Sequence, residues 1–130
     1  MKKLVLTFDG GAKPNPGKGY GSYNIWIEGI EGPSYGKSEE FYGDNLTSNQ
    51  AEYMAVISGV EKTIELFGNE CSVLIKGDSE LVLKQIKGEY RVKNEKLISL
   101  NQKLMESLKR LGNYDVQHRP REESVEEFGH

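Results

Sequence analysis

The chain has 130 residues, 36% of them hydrophobic and 28% charged, with a formal net charge of −3. That length accommodates one domain with a sizeable core, and no apolar run approaches the roughly 18 residues a membrane span requires, so a single domain over 1–130 without membrane association is expected. The only cysteine, Cys71, cannot form an internal disulfide, and Asp9 cuts the basic-then-apolar start short of an export signal, so a reducing, cytoplasmic setting and a monomer are expected.

In chain order, Lys3 to Phe8 alternates Leu4, Leu6 and Phe8 with Val5 and Thr7, the pattern of a central strand covered on both faces. Asp9 falls at its end, and Gly10-Gly11-Ala12-Lys13-Pro14-Asn15-Pro16-Gly17 reads as a loop of turn-forming residues. Taken alone, that stretch is equally an ordinary Asp-Gly hairpin turn. Gly19 to Glu28 and Ser34 to Tyr42, separated by a Gly/Pro turn from Gly29 to Pro33, add two strands of an antiparallel meander. Thr47 to Phe67 carries a helical stripe of Tyr53, Val56, Ile57, Val60, Ile64 and Phe67. Thr47 and Gln50 make a capping box at its start, and Gly68-Asn69 stops it.

Ser72 to Lys76 reads as a short buried strand running into Gly77-Asp78-Ser79, followed by a helical run through Ile86. Asn94 caps a second long helix striped by Leu97, Leu100, Leu104, Leu108 and Leu111. Tyr114 to Arg119 forms the last strand, closed by Pro120. The order predicts an α/β fold with a five-stranded mixed β-sheet flanked by helices. Between Lys84 and Lys96, five cations (Lys84, Lys87, Arg91, Lys93, Lys96) face two acids, Glu89 and Glu95, around Tyr90. The segment is either a phosphate-contacting patch or a solvated face.

Three carboxylates occupy distinctive places: Asp9 and Asp78 each at a strand's end, and Glu52 early in the long helix. If the two strands are parallel neighbours, their ends set Asp9 beside Asp78, and a helix crossing the sheet aims Glu52 at the same point. Clustered carboxylates repel unless cations neutralise them, and oxygen ligands of this kind suit Mg²⁺, with Mn²⁺ as a substitute. Two such ions about 3.5–4 Å apart activate a water and stabilise a leaving oxygen in phosphodiester hydrolysis.

Asp9-Gly10-Gly11-Ala12-x-x-Asn15-Pro16-Gly17, Thr47-Ser48-Asn49-Gln50-Ala51-Glu52-Tyr53-x-Ala55 and Gly77-Asp78-Ser79, in this order, resemble the motifs of type 1 ribonuclease H. Tyr90-Arg91-Val92-Lys93-Asn94 and Pro120-Arg121-Glu122-Glu123-Ser124 resemble the short form of that family, which lacks an inserted basic protrusion. The resemblance implies a ribonuclease H-like fold and hydrolysis of the RNA strand of an RNA–DNA hybrid with two divalent ions, leaving 5′-phosphate ends. It implies that Asp9, Glu52 and Asp78 are the catalytic and metal-holding residues, with Asp9 bridging both ions. It further implies that Gly10 and Gly11 admit the minor groove and that Asn15 and Asn49 donate to base edges or sugars, with Ser48 and Glu80 beside them.

The tail departs from the family pattern. A fourth carboxylate is usual where Phe128 stands, and Asn where Ser124 stands. Glu127 is a candidate replacement ligand, with Glu126 and His130 behind it, whereas Ser124 to Glu127 also reads as a capping box opening a short helix. His118, at the end of the last strand, is expected to pack or lie at the surface. Without a fourth ligand, the alternative is a hybrid-binding module with weak or no turnover. A nuclease of the same broad fold acting on DNA or a Holliday junction is a third reading, opposed by Asn15 and Thr47-Ser48-Asn49.

Overall fold

The structure, a computed structural model, describes residues 1–32 and 34–129. Pro33 of the expected turn and His130, a candidate ligand, lie outside the described residues. Five strands, β1 (Lys2–Lys13), β2 (Gly17–Ile27), β3 (Tyr35–Leu46), β4 (Cys71–Gly77) and β5 (Asn113–His118), form one sheet in the order β3-β2-β1-β4-β5. The β1–β2 and β2–β3 pairs are antiparallel, while β1–β4 and β4–β5 are parallel. The helices are α1 (Ser48–Phe67), α2 (Glu80–Ile86), α3 (Glu95–Leu111) and α4 (Arg121–Phe128). The expected mixed sheet flanked by helices is therefore present.

Local chemistry explains where the helices begin. Gln50 N donates to Thr47 Oγ1 at 3.2 Å and Thr47 N to Gln50 Oε1 at 2.8 Å, which closes the predicted capping box of α1. Asn94 accepts from Lys96 N at 2.9 Å and starts α3, whose Leu97, Leu104, Leu108 and Leu111 are buried. α1 packs along β1 and against α3. Two glycines let it lie close. A Cβ on Gly59 would come within 2.6 Å of Leu6 Cδ1, and one on Gly10 within 2.6 Å of the Ala51 backbone.

Two expectations are corrected here. β1 does not end before Asp9: its ladder with β2 continues from Asp9↔Ser22 to Lys13↔Lys18, so the expected loop shrinks to the tip around Pro14, Asn15 and Pro16. Pairing with β2 outweighs the turn preference of two glycines. The parallel ladder with β4, by contrast, reaches only Thr7↔Lys76, so Asp9 still sits where that pair opens. The tail helix begins at Arg121, not at Ser124. Ser124 is fully buried inside α4 and accepts from Arg119 Nε at 3.2 Å, a tertiary use of its hydroxyl that displaces capping.

Candidate active site

Three elements deliver one acid each. Asp9 stands on β1 just past the β4 pairing, Asp78 directly follows β4, and Glu52 projects from the first turns of α1 where its backbone rests on Gly10. One carboxylate oxygen from each of Asp9, Glu52 and Asp78 lies within 4.8 Å of the others. Asp9 is 4% exposed and Glu52 8%. The spacing predicted from parallel strand ends is therefore realised.

The electrostatics of the cluster are unfavourable without a cation. Burial, then the charges of Asp9 and Asp78, push the Glu52 carboxyl well above the ordinary 4.5, and a hydrogen bond with Asp9 pushes in the same direction. The Gly10 backbone N–H donates to Glu52 and opposes the shift. Among the described residues, Glu52 Oε2 and Asp78 Oδ2 are buried without a hydrogen-bond partner, and the exposed Arg121 approaches the latter only to 4.0 Å. Oxygen-only donors with unsatisfied buried lone pairs fit a hard divalent cation, so the residues present suit the ions the sequence implies.

The remaining predicted positions surround this cluster unequally. Gly10 is required by α1, which occupies the space a side chain would need. Gly11 has open space on that side and lines a shallow pocket of about 240 Å³ with Lys13, Tyr20 and Glu39. Asn15 Oδ1 accepts from Ser48 N at 3.1 Å, and Ser48 Oγ accepts from Ala12 N at 3.3 Å, which ties the hairpin tip to the start of α1. Asn15 and Asn49 are exposed on the rim so formed. Glu80 is also exposed and pairs with Lys84 at 2.7 Å, while Lys87, Arg91, Lys93 and Lys96 are exposed without entering the cluster. His118 is exposed, and Cys71 is buried, its thiol pushed up by burial, as a packing residue would be.

Glu127 does not join the cluster among the described residues. Its Oε2 accepts from Thr7 Oγ1 at 2.7 Å and Asn24 Nδ2 at 2.8 Å, and its Oε1 accepts from Arg119 at 2.7 Å. Thr7 and Asn24 are direct cross-strand partners, so this carboxylate clamps α4 across β1 and β2. Glu126 is exposed on α4 and does not reach the cluster either. Phe128 has the Arg119 guanidinium 5.6 Å from its ring centre. The sequence alone assigns no role to Thr7, Asn24 or Arg119; a lone polar residue at position 7 of an apolar strand is its only signal.

A family model described as reverse transcriptase-like matches residues 7–126. The chain is 35% identical over 99 residues to a bifunctional protein of Mycobacterium tuberculosis, covering 75% of this chain and 26% of that one. It is 30% identical over 119 residues to ribonuclease HI of Halobacterium salinarum, covering 92% of this chain and 57% of that protein. The chain thus spans about a quarter of the length of the curated relatives it matches first. Among solved structures, the compost-derived LC11 ribonuclease H of type 1, in complex with an RNA/DNA hybrid, superposes with a TM-score of 0.82. That pair is 30% identical, covering 96% of this chain and 92% of the other. The chain belongs to the reverse transcriptase-like family, with the fold of type 1 ribonuclease H.

Proposed function

We propose that this member of the family hydrolyses the RNA strand of RNA–DNA hybrids as a divalent-metal-dependent endonuclease giving 5′-phosphomonoesters. The observation that carries the reading is the convergence of Asp9, Glu52 and Asp78 within 4.8 Å, with buried oxygens of Glu52 and Asp78 lacking partners. Three such acids beside a polyanion would repel phosphate unless a cation is held between them. Asp9, Glu52 and Asp78 would hold two Mg²⁺ ions, or Mn²⁺ in their place. Bound there, the ions supply Lewis-acid activation of a water and stabilisation of the leaving 3′ oxygen.

The chain's own groups account for selection. Asn15 is fixed through Oδ1 by Ser48, which leaves its amide NH₂ to donate, and exposed Asn49 stands in the same turn of α1. These donors, with Ser48 and the open side of Gly11, form a rim suited to sugars and base edges in a shallow minor groove. There the 2′-hydroxyl distinguishes RNA from DNA. Close packing of Gly10 under α1 keeps Glu52 beside Asp9 while the rim takes substrate. A monomeric, cytoplasmic enzyme in which residues 1–130 form one domain is part of the same proposal.

Commitment of Glu127 to Thr7, Asn24 and Arg119 favours one second reading: a hybrid-binding module with weak or no turnover for want of a fourth carboxylate. Cleavage of a labelled RNA–DNA hybrid, with single-stranded RNA and duplex DNA as controls, in Mg²⁺, Mn²⁺ and chelator, decides between them. Metal-dependent cutting confined to the RNA of the hybrid is the expected result. Tight hybrid binding without cutting in either metal would establish the binding module.

A further inference from the structure

We propose that Tyr53, Gln85 and Asn101 are positioning residues for the carboxylate cluster, holding α1 and α2 at the separation at which Glu52 and Asp78 share a divalent cation. The proposal rests on the cation-binding reading above and concerns what keeps the cluster assembled. Tyr53 directly follows Glu52 in α1 and is fully buried. Its hydroxyl donates to Gln85 Oε1 at 2.5 Å and accepts from Asn101 Nδ2 at 3.2 Å. An amide NH₂ can only donate, so Asn101 of α3 directs the tyrosine proton towards Gln85.

Gln85 is the one polar residue among the four buried positions of α2, the others being Val82, Leu83 and Ile86. That helix has 7 residues and begins immediately after Asp78 and the cap Ser79. The path from Glu52 through Tyr53 and Gln85, back along α2 to Ser79 and Asp78, therefore closes on itself at the cluster. Repulsion between Glu52 and Asp78 acts to open that ring. Apolar packing of so short a helix is non-directional and resists sliding weakly, whereas a buried hydrogen bond has one geometry, and breaking it strands two polar groups.

The test is Mn²⁺ binding by calorimetry on the full chain without nucleic acid, alongside thermal midpoints and Mg²⁺ titration of hybrid cleavage. The variants are Tyr53→Phe, Gln85→Leu and the two combined. Thr63→Val serves as control, since it removes a buried hydrogen bond of 2.8 Å to the Gly59 carbonyl three turns further along α1. Each single variant is expected to weaken Mn²⁺ binding by roughly threefold to tenfold, less than the 10–100-fold typical of groups bonded directly to a ligand. The double variant should lose no more than the worse single one, because both remove the same bond. Thr63→Val should lower the midpoint without changing Mn²⁺ affinity. Unchanged Mn²⁺ affinity in Tyr53→Phe and Gln85→Leu, or an equal loss in Thr63→Val, would overturn the proposal. A wild-type chain that binds Mn²⁺ but leaves hybrids uncut would sink the nuclease reading alone, the affinity differences still deciding this one. Failure of the wild type to bind Mn²⁺ would overturn both.

Discussion

Two acidic sites sit close together along β1 and are built on opposite principles. At Asp9 three carboxylates converge, with buried oxygens of Glu52 and Asp78 left without hydrogen bonds. Two residues earlier, Thr7 helps hold Glu127 in a setting where both oxygens are satisfied, one by Arg119 and the other by Thr7 and Asn24. The first arrangement leaves buried carboxylate oxygens without donors, which is what the proposed cation-binding role requires. The second satisfies both carboxylate oxygens and seats α4, with only Arg119 Nη2 there left without a hydrogen-bond partner among the described residues. Which acids surround a strand end therefore says less about chemistry than which of their buried oxygens lack a hydrogen-bond donor.

The sharpest way to break the comparison is to remove one charge from each site. Asp9→Asn should reduce hybrid cleavage by about a thousandfold or more, equivalent to about 4 kcal/mol on the barrier, while thermal stability holds or rises because repulsion is relieved. Full activity in that variant would end the nuclease reading. Glu127→Gln should do the reverse. It leaves Arg119, only 8% exposed in its side chain, without its partner carboxylate, and should cost about 2 kcal/mol of folding stability, read as a lower urea midpoint. Cleavage per folded molecule should stay within about twofold of wild type, because Glu127 contributes no oxygen to the cluster of Asp9, Glu52 and Asp78.

A milder change brings the two sites together. Phe128→Asp supplies an acid where the family resemblance places a fourth carboxylate, and should lower the Mg²⁺ concentration for half-maximal cleavage by roughly threefold to tenfold. A metal titration that does not move would show that α4 holds position 128 away from the cluster.

The smallest effect is one of pH. The folded-state pKa of Glu52 is raised, so its contribution to stability is fully present below the unfolded value near 4.5 and is lost as pH rises through the folded pKa. In chelator, the thermal midpoint of the wild type should therefore fall as pH rises from about 4.5 towards neutrality. Glu52→Gln should flatten that fall, and Mg²⁺ should reverse it in the wild type only. A wild-type profile parallel to that of Glu52→Gln would show that the cluster carries no strain.

Much of this was legible residue by residue. The Thr47/Gln50 capping box, the leucine stripe of α3 and the alternation of Leu4, Leu6 and Phe8 are local patterns, set by repeats of two or by neighbours three and four apart. Two acids at strand ends and one early in a helix predicted a convergence on the condition that the two strands are parallel neighbours, and the β1–β4 pairing meets that condition. What the chain alone could not reveal depended on partners remote in sequence. β1 runs on to Lys13 because β2 pairs with it, against the turn preference of its glycines. Gly10 is needed because Ala51 lies on it. The two donors to Glu127 Oε2 stand 120 and 103 residues away, so the carboxylate that sequence offered as a ligand was already claimed. Sequence determined the elements and the acids that converge; tertiary packing decided which of their buried oxygens are left without a donor, because a carboxylate's donors are neighbours in space.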